Sequence, residues 1–214
     1  MKKLLVLVLL LLPGPLLAQN NSAREKWPAL PSLPAKEGQI YFEEVVELPP
    51  SAPKDSLYKA AREWLADYFK TAQPELQKED RAAGELITRS DHHYQVSVGQ
   101  NEQEAGQNQQ ENPYIIHLQH TLHLVVKDGQ YQYRLYDFTA RDEIRNLNIV
   151  QELNPQQGQV REPRRRRSAK GNKNWEEAYM AASFRSKLLT GLEQEVKDMT
   201  QSLKSAMAKA ASAQ

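Results

Sequence analysis

The histidines are the residues of this chain whose number and spacing most strongly suggest a reactive site. Five histidines occur among the 214 residues, at positions 92, 93, 117, 120 and 123. Imidazole groups held close together, with or without a carboxylate, bind metal ions or transfer protons. On one strand, His117 and His123 share a face but lie about 20 Å apart at roughly 3.3 Å per residue. His120 lies on the opposite face, so a site needs side chains from neighbouring strands.

A predicted hairpin turn brings a carboxylate towards one of these histidines. Asp128-Gly129 is a two-residue sequence typical of such turns, because both residues tolerate positive φ. The antiparallel register that follows from this turn places His120 opposite Asp137. An imidazole and a carboxylate on adjacent strands would therefore share one face of the sheet.

A third member of this group depends on the register across a long loop. If Val98 pairs with Tyr114, His92 falls opposite His120 on the next strand. The resulting candidate site is a row across three strands, formed by His92, His120 and Asp137. One interpretation is a metal or acid–base site; the other, which we favour, is a hydrogen-bonded polar cluster at the edge of the sheet.

The elements that must position this row are predicted from hydrophobic periodicity. Alternating apolar residues indicate strands, whereas apolar residues at helical spacing indicate buried helix faces. The first helix follows Pro53 and carries its stripe from Leu57 to Phe69. The last helix is predicted to be capped by Asn174, with Glu177 as the partner in a capping box. The predicted strands lie at 38–48, 86–89, 94–98, 114–126 and 130–140.

The first residues of the chain have the pattern of an export signal. Lys2 and Lys3 precede an apolar run from Leu4 to Leu12, and small residues end at Ala18. We expect cleavage after Ala18 and a mature protein in the periplasm or the medium of a Gram-negative bacterium. Cysteine is absent, which excludes disulfides and thiol chemistry. No later apolar run reaches 18 residues, so no transmembrane segment is predicted.

The charge balance gives no reason to expect a nucleic-acid partner. Lys and Arg number 28 against 27 Asp and Glu, a formal net charge of +1. The basic run from Arg164 to Arg167 lies in a Pro- and Gly-containing connector without interleaved aromatic residues, which favours a solvated, protease-sensitive linker. An electrostatic contact with acidic lipid headgroups or a partner is the other interpretation of this run.

Composition divides the chain into one folded domain with appendages. The glutamine-rich loop at 99–113 is too polar to pack and interrupts that domain. The predicted organisation is a signal peptide at 1–18, a poorly packed Pro-rich leader at 19–37, an α+β domain at 38–142, a polar and basic connector at 143–173, a C-terminal helix of the same domain at 174–207, and a frayed tail at 208–214.

Several short phrases, in this order and spacing, resemble a known family. They are Ile40-Tyr41 with Pro49 after the strand, Asp55-Ser56-Leu57-Tyr58, Arg62-Glu63-Trp64-Leu65, Ala83-Gly84-Glu85-Leu86-Ile87, Val126-Lys127-Asp128-Gly129 and Tyr133-Arg134-Leu135-Tyr136-Asp137-Phe138. The family is an uncharacterised bacterial domain of unknown function with a TATA-binding-protein-like fold, usually found behind export signals. The resemblance implies a curved antiparallel sheet in the order β-α-β-β-β-β-α, with both helices packed on one face. It supplies no catalytic residues.

The sequence therefore predicts a non-enzymatic binding or interaction module of the cell envelope. Serine-nucleophile, phosphate-loop and metalloprotease signatures are missing from it. No cofactor is predicted, and the expected partner is an envelope protein or a small ligand. The alternative function is a metal-dependent or acid–base hydrolase that uses the His92, His120 and Asp137 row.

Overall fold

The computed structural model describes residues 26–69, 75–96, 114–143, 147–149, 153 and 169–213. Eight strands and two helices lie in these ranges. In chain order they are β1 (Ala35–Lys36), β2 (Gln39–Ile40), β3 (Phe42–Glu47), α1 (Lys54–Tyr68), β4 (Glu75–Asp80), β5 (Glu85–Val96), β6 (Tyr114–Lys127), β7 (Gln130–Asp142), β8 (Leu147–Asn148) and α2 (Ala169–Ser212). Apart from the three two-residue strands, this is the predicted order β-α-β-β-β-β-α. The signal peptide, the loop at 99–113 and the run from Arg164 to Arg167 lie outside the described residues.

The main sheet is antiparallel, with strand order β3-β7-β6-β5-β4, and β8 pairs with the end of β7. Three long strands, β5, β6 and β7, form its centre. Buried and less buried residues alternate along each of them, because successive side chains of a strand face opposite sides. One face of the sheet therefore contributes to the core, and the other is less buried.

Strand β5 corrects two of the predicted elements. The segments at 86–89 and 94–98 were expected to be separate strands, but Glu85–Val96 is continuous. The four intervening residues, Ser90 to His93, are polar on both faces of the strand. They therefore lack the alternation of apolar and polar residues from which a strand is predicted. Ser90 is nevertheless buried and lies beside His120, so its polar side chain has a partner inside the sheet.

Strand β4 was not predicted, because Leu76 is its single apolar residue. It forms one edge of the sheet and pairs with β5, with a β-bulge between Leu76 and Lys78. Charged side chains and bulges are usual on edge strands, since both discourage pairing with another chain. The strand lacks an alternating apolar pattern for that reason.

Helix α1 begins directly after Pro53, as predicted, but its cap comes from another part of the chain. Pro53 has no side chain that can accept a hydrogen bond, and the Lys54 backbone N–H donates to Asp128 Oδ1 at 2.7 Å. Asp128 belongs to the predicted two-residue turn between β6 and β7, which pairs Lys127 with Gln130. Only Gly129 of this turn has a positive φ, of 67°, so the expectation of positive φ at both residues was wrong.

Helix α2 is longer than predicted at both ends. It begins at Ala169 rather than after Asn174, so the predicted capping box does not form. Lysine and alanine favour helix, and Gly171 weakens it by only about 1 kcal/mol. The helix continues to Ser212, with Met207 and Ala211 buried, so the expected frayed tail is mostly helical. Alanine, the strongest helix former, dominates this end.

Both helices pack on the same face of the sheet. The buried cluster joins apolar residues of β5, β6 and β7 to the stripes of α1 and α2. Trp64 of α1 donates its Nε1–H to Ser202 Oγ of α2 at 3.0 Å. Where α2 packs on β5, a Cβ on Gly191 would lie 2.7 Å from the Tyr94 ring. The fold class and the shared core of sheet and helices are thus as predicted.

The described part of the leader packs more closely than expected. Leu30 and Leu33 lie against the core, and Ser186 of α2 donates to the Ala29 carbonyl at 2.6 Å. The Trp27 ring makes an edge contact with Trp175 near the start of α2, at 6.1 Å between centroids. The expectation of a poorly packed leader was therefore wrong for these residues. Within the described residues, no helix is both long and apolar enough to cross a membrane.

Candidate functional site

The five histidines divide between the two faces of the sheet. His92 and His120 lie on the face covered by the helices, together with buried Leu118 and Leu122. His93, His117 and His123 lie on the opposite face, which we call the open face because no helix of the described residues packs on it. The predicted separation of His120 from His117 and His123 is confirmed.

The register between β5 and β6 differs from the predicted one by two residues. Val96 pairs with Tyr114, so Ser90 lies opposite His120 and His92 lies opposite Leu118. The predicted pairing of Val98 with Tyr114 was wrong. A shift of two leaves every side chain on its predicted face, and His92 and His120 still meet diagonally. Their rings stack with centroids 5.3 Å apart and an interplanar angle of 11°.

The structure does not bring Asp137 to these histidines. The register of β6 with β7 shifts between Gln119 and Thr121, which leaves two residues of β7 opposite His120. Asp137 is the extra residue: it has a φ of 55° and is exposed, as is typical of a β-bulge. Phe138 takes the position beside His120, with ring centroids 5.3 Å apart.

A glutamate from α2 supplies the carboxylate of the buried cluster instead. Glu195 Oε1 lies 3.0 Å from His92 Nδ1 and accepts a hydrogen bond from the Tyr68 hydroxyl at 3.4 Å. The hydrogen bond with His92 holds the pKa of Glu195 below its usual value. Ser90 Oγ lies 2.9 Å from His120 Nε2. These contacts pair polar groups within the sheet, between the sheet and α2, and between the two helices, although His92 Nε2 has no hydrogen-bond partner among the described residues. The cluster lies on central strands under the helices and not at the edge of the sheet, where the polar cluster was expected.

Burial makes His120 a poor acid–base group. It is 1% exposed, and desolvation, followed by the nearby His92, lowers its pKa to about 3. A substrate cannot reach this imidazole without displacing Phe138 or a helix. The buried cluster therefore joins α2 to the sheet and offers no reaction surface.

Ion pairs run across the strands of the open face. Arg134 Nε donates to Glu43 Oε1 at 2.8 Å, joining β7 to β3. His123 Nε2 lies 2.9 Å from Glu85 Oε1, and Lys78 pairs with the same glutamate from β4. Burial is the main cause that lowers the pKa of His123. Ion pairs thus reach from β3 to β4 across the open face, which also carries the exposed apolar side chain of Val45.

A second group of histidines on the open face was missed by the sequence analysis. His93 Nε2 and His117 Nδ1 lie 2.7 Å apart, and Asp91 Oδ1 lies 3.6 Å and 3.5 Å from them, respectively. His93 is directly opposite His117 in the observed register. In the predicted register His93 would have faced Gln119 instead, so the signal was hidden by the same two-residue error.

The architecture defines the class of protein: an α+β protein with a TBP-like fold, in which two helices cover one face of an antiparallel sheet. Residues 42–141 match the family model described as a domain of unknown function (DUF4468) with TBP-like fold. This match confirms the resemblance predicted from the sequence over nearly the whole of the predicted domain. It assigns no activity.

Two solved structures resemble this chain, and the first agrees with this assignment of the fold. A DUF4468 family protein from Bacteroides ovatus superposes with a TM-score of 0.54 at 11% identity, covering 82% of this chain and 90% of its own. A TBP-like protein from Parabacteroides distasonis has a TM-score of 0.46 at 11% identity, with 81% and 98% covered. No curated protein matches the chain. At this identity the first of these likenesses concerns the fold alone.

Proposed function

We propose that this protein is an exported, non-enzymatic binding module of the bacterial cell envelope, and that its ligand docks on the open face. The observation that supports this proposal is the asymmetry of the sheet. One face is closed by α1 and α2, whereas the other carries charged and imidazole side chains with no described helix over it. The signal-like pattern up to Ala18 supports export.

The ion pairs of the open face suit a reversible partner more than a permanent one. Permanent interfaces are apolar, resembling a core cut in half. Here the side chains of Glu43, Arg134, His123 and Glu85 already pair with one another. A ligand that docks on them exchanges these contacts for its own, which gives specificity more than affinity.

The hydrolase alternative receives no support from the geometry. It requires His92, His120 and Asp137 to converge at an accessible position. Instead, His120 is buried and Asp137 is exposed in the bulge. The pairing of His92 with Glu195 further ties that histidine to the contact with α2.

Site-specific photo-crosslinking tests the proposal in the cells that produce the protein. A photoreactive benzoylphenylalanine at Arg89, on the open face, should give a discrete crosslinked product in the envelope fraction. The matched control places the same group at Lys59, whose side chain is 77% exposed on α1. We expect no product from Lys59, because α1 is on the other side of the sheet.

Mass analysis of the same envelope preparation tests export. The mature protein should begin at Gln19. An uncleaved Met1 would contradict export. Equal products from Arg89 and Lys59, or none from Arg89, would contradict a ligand on the open face.

A further inference from the structure

We propose that Asp91, His93 and His117 form a binding site for a divalent transition-metal ion, with zinc as the reference ion. The site lies on the open face, and only in that respect does this inference rest on the proposed function. It is separate from the buried His92 and His120 pair.

The strand register places the three donors together. Asp91 and His93 are two residues apart on β5 and so share a face. His117 is directly opposite His93 on β6. The group therefore belongs to two central strands of the sheet and does not depend on a loop for its geometry, which favours a preorganised site.

The spacing of the donor atoms fits one small ion. Asp91 Oδ1, His93 Nε2 and His117 Nδ1 form a triangle with sides of 2.7, 3.5 and 3.6 Å. The circle through these atoms has a radius of about 1.9 Å, so a point about 2.1 Å from all three, the bond length of zinc to imidazole nitrogen and carboxylate oxygen, lies just outside their plane. The two imidazole nitrogens are at hydrogen-bond distance from each other. They would separate by roughly 0.6 Å to reach the spacing of a tetrahedral zinc ion.

Neighbouring side chains orient two of the donors. Gln119 donates to Asp91 Oδ2 at 3.2 Å, which leaves Asp91 Oδ1, a buried atom with no hydrogen-bond partner among the described residues, for the ion. Glu143 Oε2 lies 3.2 Å from His117 Nε2, on the side of the ring away from Nδ1, at ion-pair distance but without hydrogen-bond geometry. A carboxylate that accepts the second ring N–H of a ligating histidine fixes the ring and raises its basicity. A small rotation of the exposed Glu143 side chain would form this hydrogen bond when His117 binds the ion.

The donor set determines the kind of ion. Two imidazoles and one carboxylate suit zinc and similar divalent transition metals, whereas calcium and magnesium prefer oxygen donors alone. Three protein donors leave a fourth position of a tetrahedral ion open. The side chains of Asp91, His93 and His117 are 35%, 56% and 15% exposed, so a ligand that docks on the open face can supply that fourth donor.

Isothermal titration with zinc chloride tests this site in the untagged full chain, purified without a metal column and stripped with EDTA. We expect one zinc per chain. His117→Ala and Asp91→Asn should each weaken zinc binding at least about tenfold, and Glu143→Gln should weaken it about ten- to hundredfold. The matched control is His123→Ala, which removes a histidine of the same strand and face but should leave the zinc affinity unchanged.

Three results would overturn the inference. They are no saturable zinc binding by the full chain, an equal loss of affinity in His123→Ala and His117→Ala, and unchanged affinity in Asp91→Asn and Glu143→Gln. Circular dichroism of each variant checks that the fold is retained. Failure of the metal site is distinguishable from failure of the proposed function. If zinc does not bind but the photoreactive group at Arg89 still gives its crosslinked product, only the metal inference is refuted.

Discussion

At the scale of single residues, His120 makes the stability of the protein depend on pH. Its pKa is about 3 in the folded state, against about 6.5 for an unperturbed histidine. Desolvation by burial is the main cause of the low pKa, and the nearby His92 and Arg89 also oppose protonation. Below pH 6.5 the unfolded chain binds a proton that the folded chain does not, so the free energy of unfolding should fall as the pH falls from about 6.5 towards 3.

Urea unfolding between pH 5 and 6.5 measures this effect, in a range where most carboxylates stay ionised. The expected contribution is about 1.4 kcal/mol per pH unit, or roughly 2 kcal/mol over the range. His120→Gln should lower stability at pH 7 but flatten the pH dependence. His123→Gln, which removes a histidine from the open face, should keep most of the change of unfolding free energy with pH. The same slope in His120→Gln and the unmodified protein would contradict this account.

The histidines also show how far a single sequence reaches at this scale. The face of each one followed from the alternation of strand residues. The partners did not, because the pairing of β5 with β6 crosses the loop at 99–113, whose length does not determine the register. The resulting error of two residues kept His92 near His120 but concealed the contact of His93 with His117.

At the scale of elements, the turn between β6 and β7 acts as the cap of α1. Asp128→Ala removes the acceptor of the Lys54 N–H, one of the unpaired donors at the start of the helix. The expected loss is about 1 kcal/mol of unfolding free energy. Asp128→Asn retains an acceptor oxygen and should lose much less. Urea midpoints of the two variants decide this, and equal losses would show that the cap contributes nothing.

Elements with an apolar stripe or a turn signal were predictable, whereas polar ones were not. α1, β6 and the turn at Asp128-Gly129 agree with the sequence analysis. β4 and the middle of β5 were missed because an edge strand and a hydrogen-bonded core position both carry polar residues. The bulge at Asp137 had no sequence signal, since aspartate is also ordinary in a regular exposed strand position.

At the scale of the whole molecule, α2 belongs to the same core as the sheet. Its buried residues join one continuous cluster with β5, β6, β7 and α1. Further contacts are polar: the Tyr94 hydroxyl donates to the Leu188 carbonyl at 2.9 Å, and Lys204 donates to Glu44 Oε1 at 2.7 Å. Lys204 is the main cause that lowers the pKa of Glu44. The helix and the sheet should therefore unfold together.

Leu192→Ala tests that cooperativity with a small change. Leu192 is fully buried, so the truncation should cost about 2 to 5 kcal/mol of unfolding free energy. Glu193→Ala, next to it and exposed, is the matched control and should change stability by less than about 0.5 kcal/mol. Hydrogen exchange of the β6 amides, far from residue 192 in sequence, should accelerate in Leu192→Ala as much as that of α2.

Deletion of residues 174–214 should cause aggregation, because it exposes the apolar face of the sheet. If β6 keeps its protection and the truncated protein unfolds at an unchanged urea midpoint, α2 is an independent unit, and its stripe is then better explained as a surface for a partner helix or a membrane.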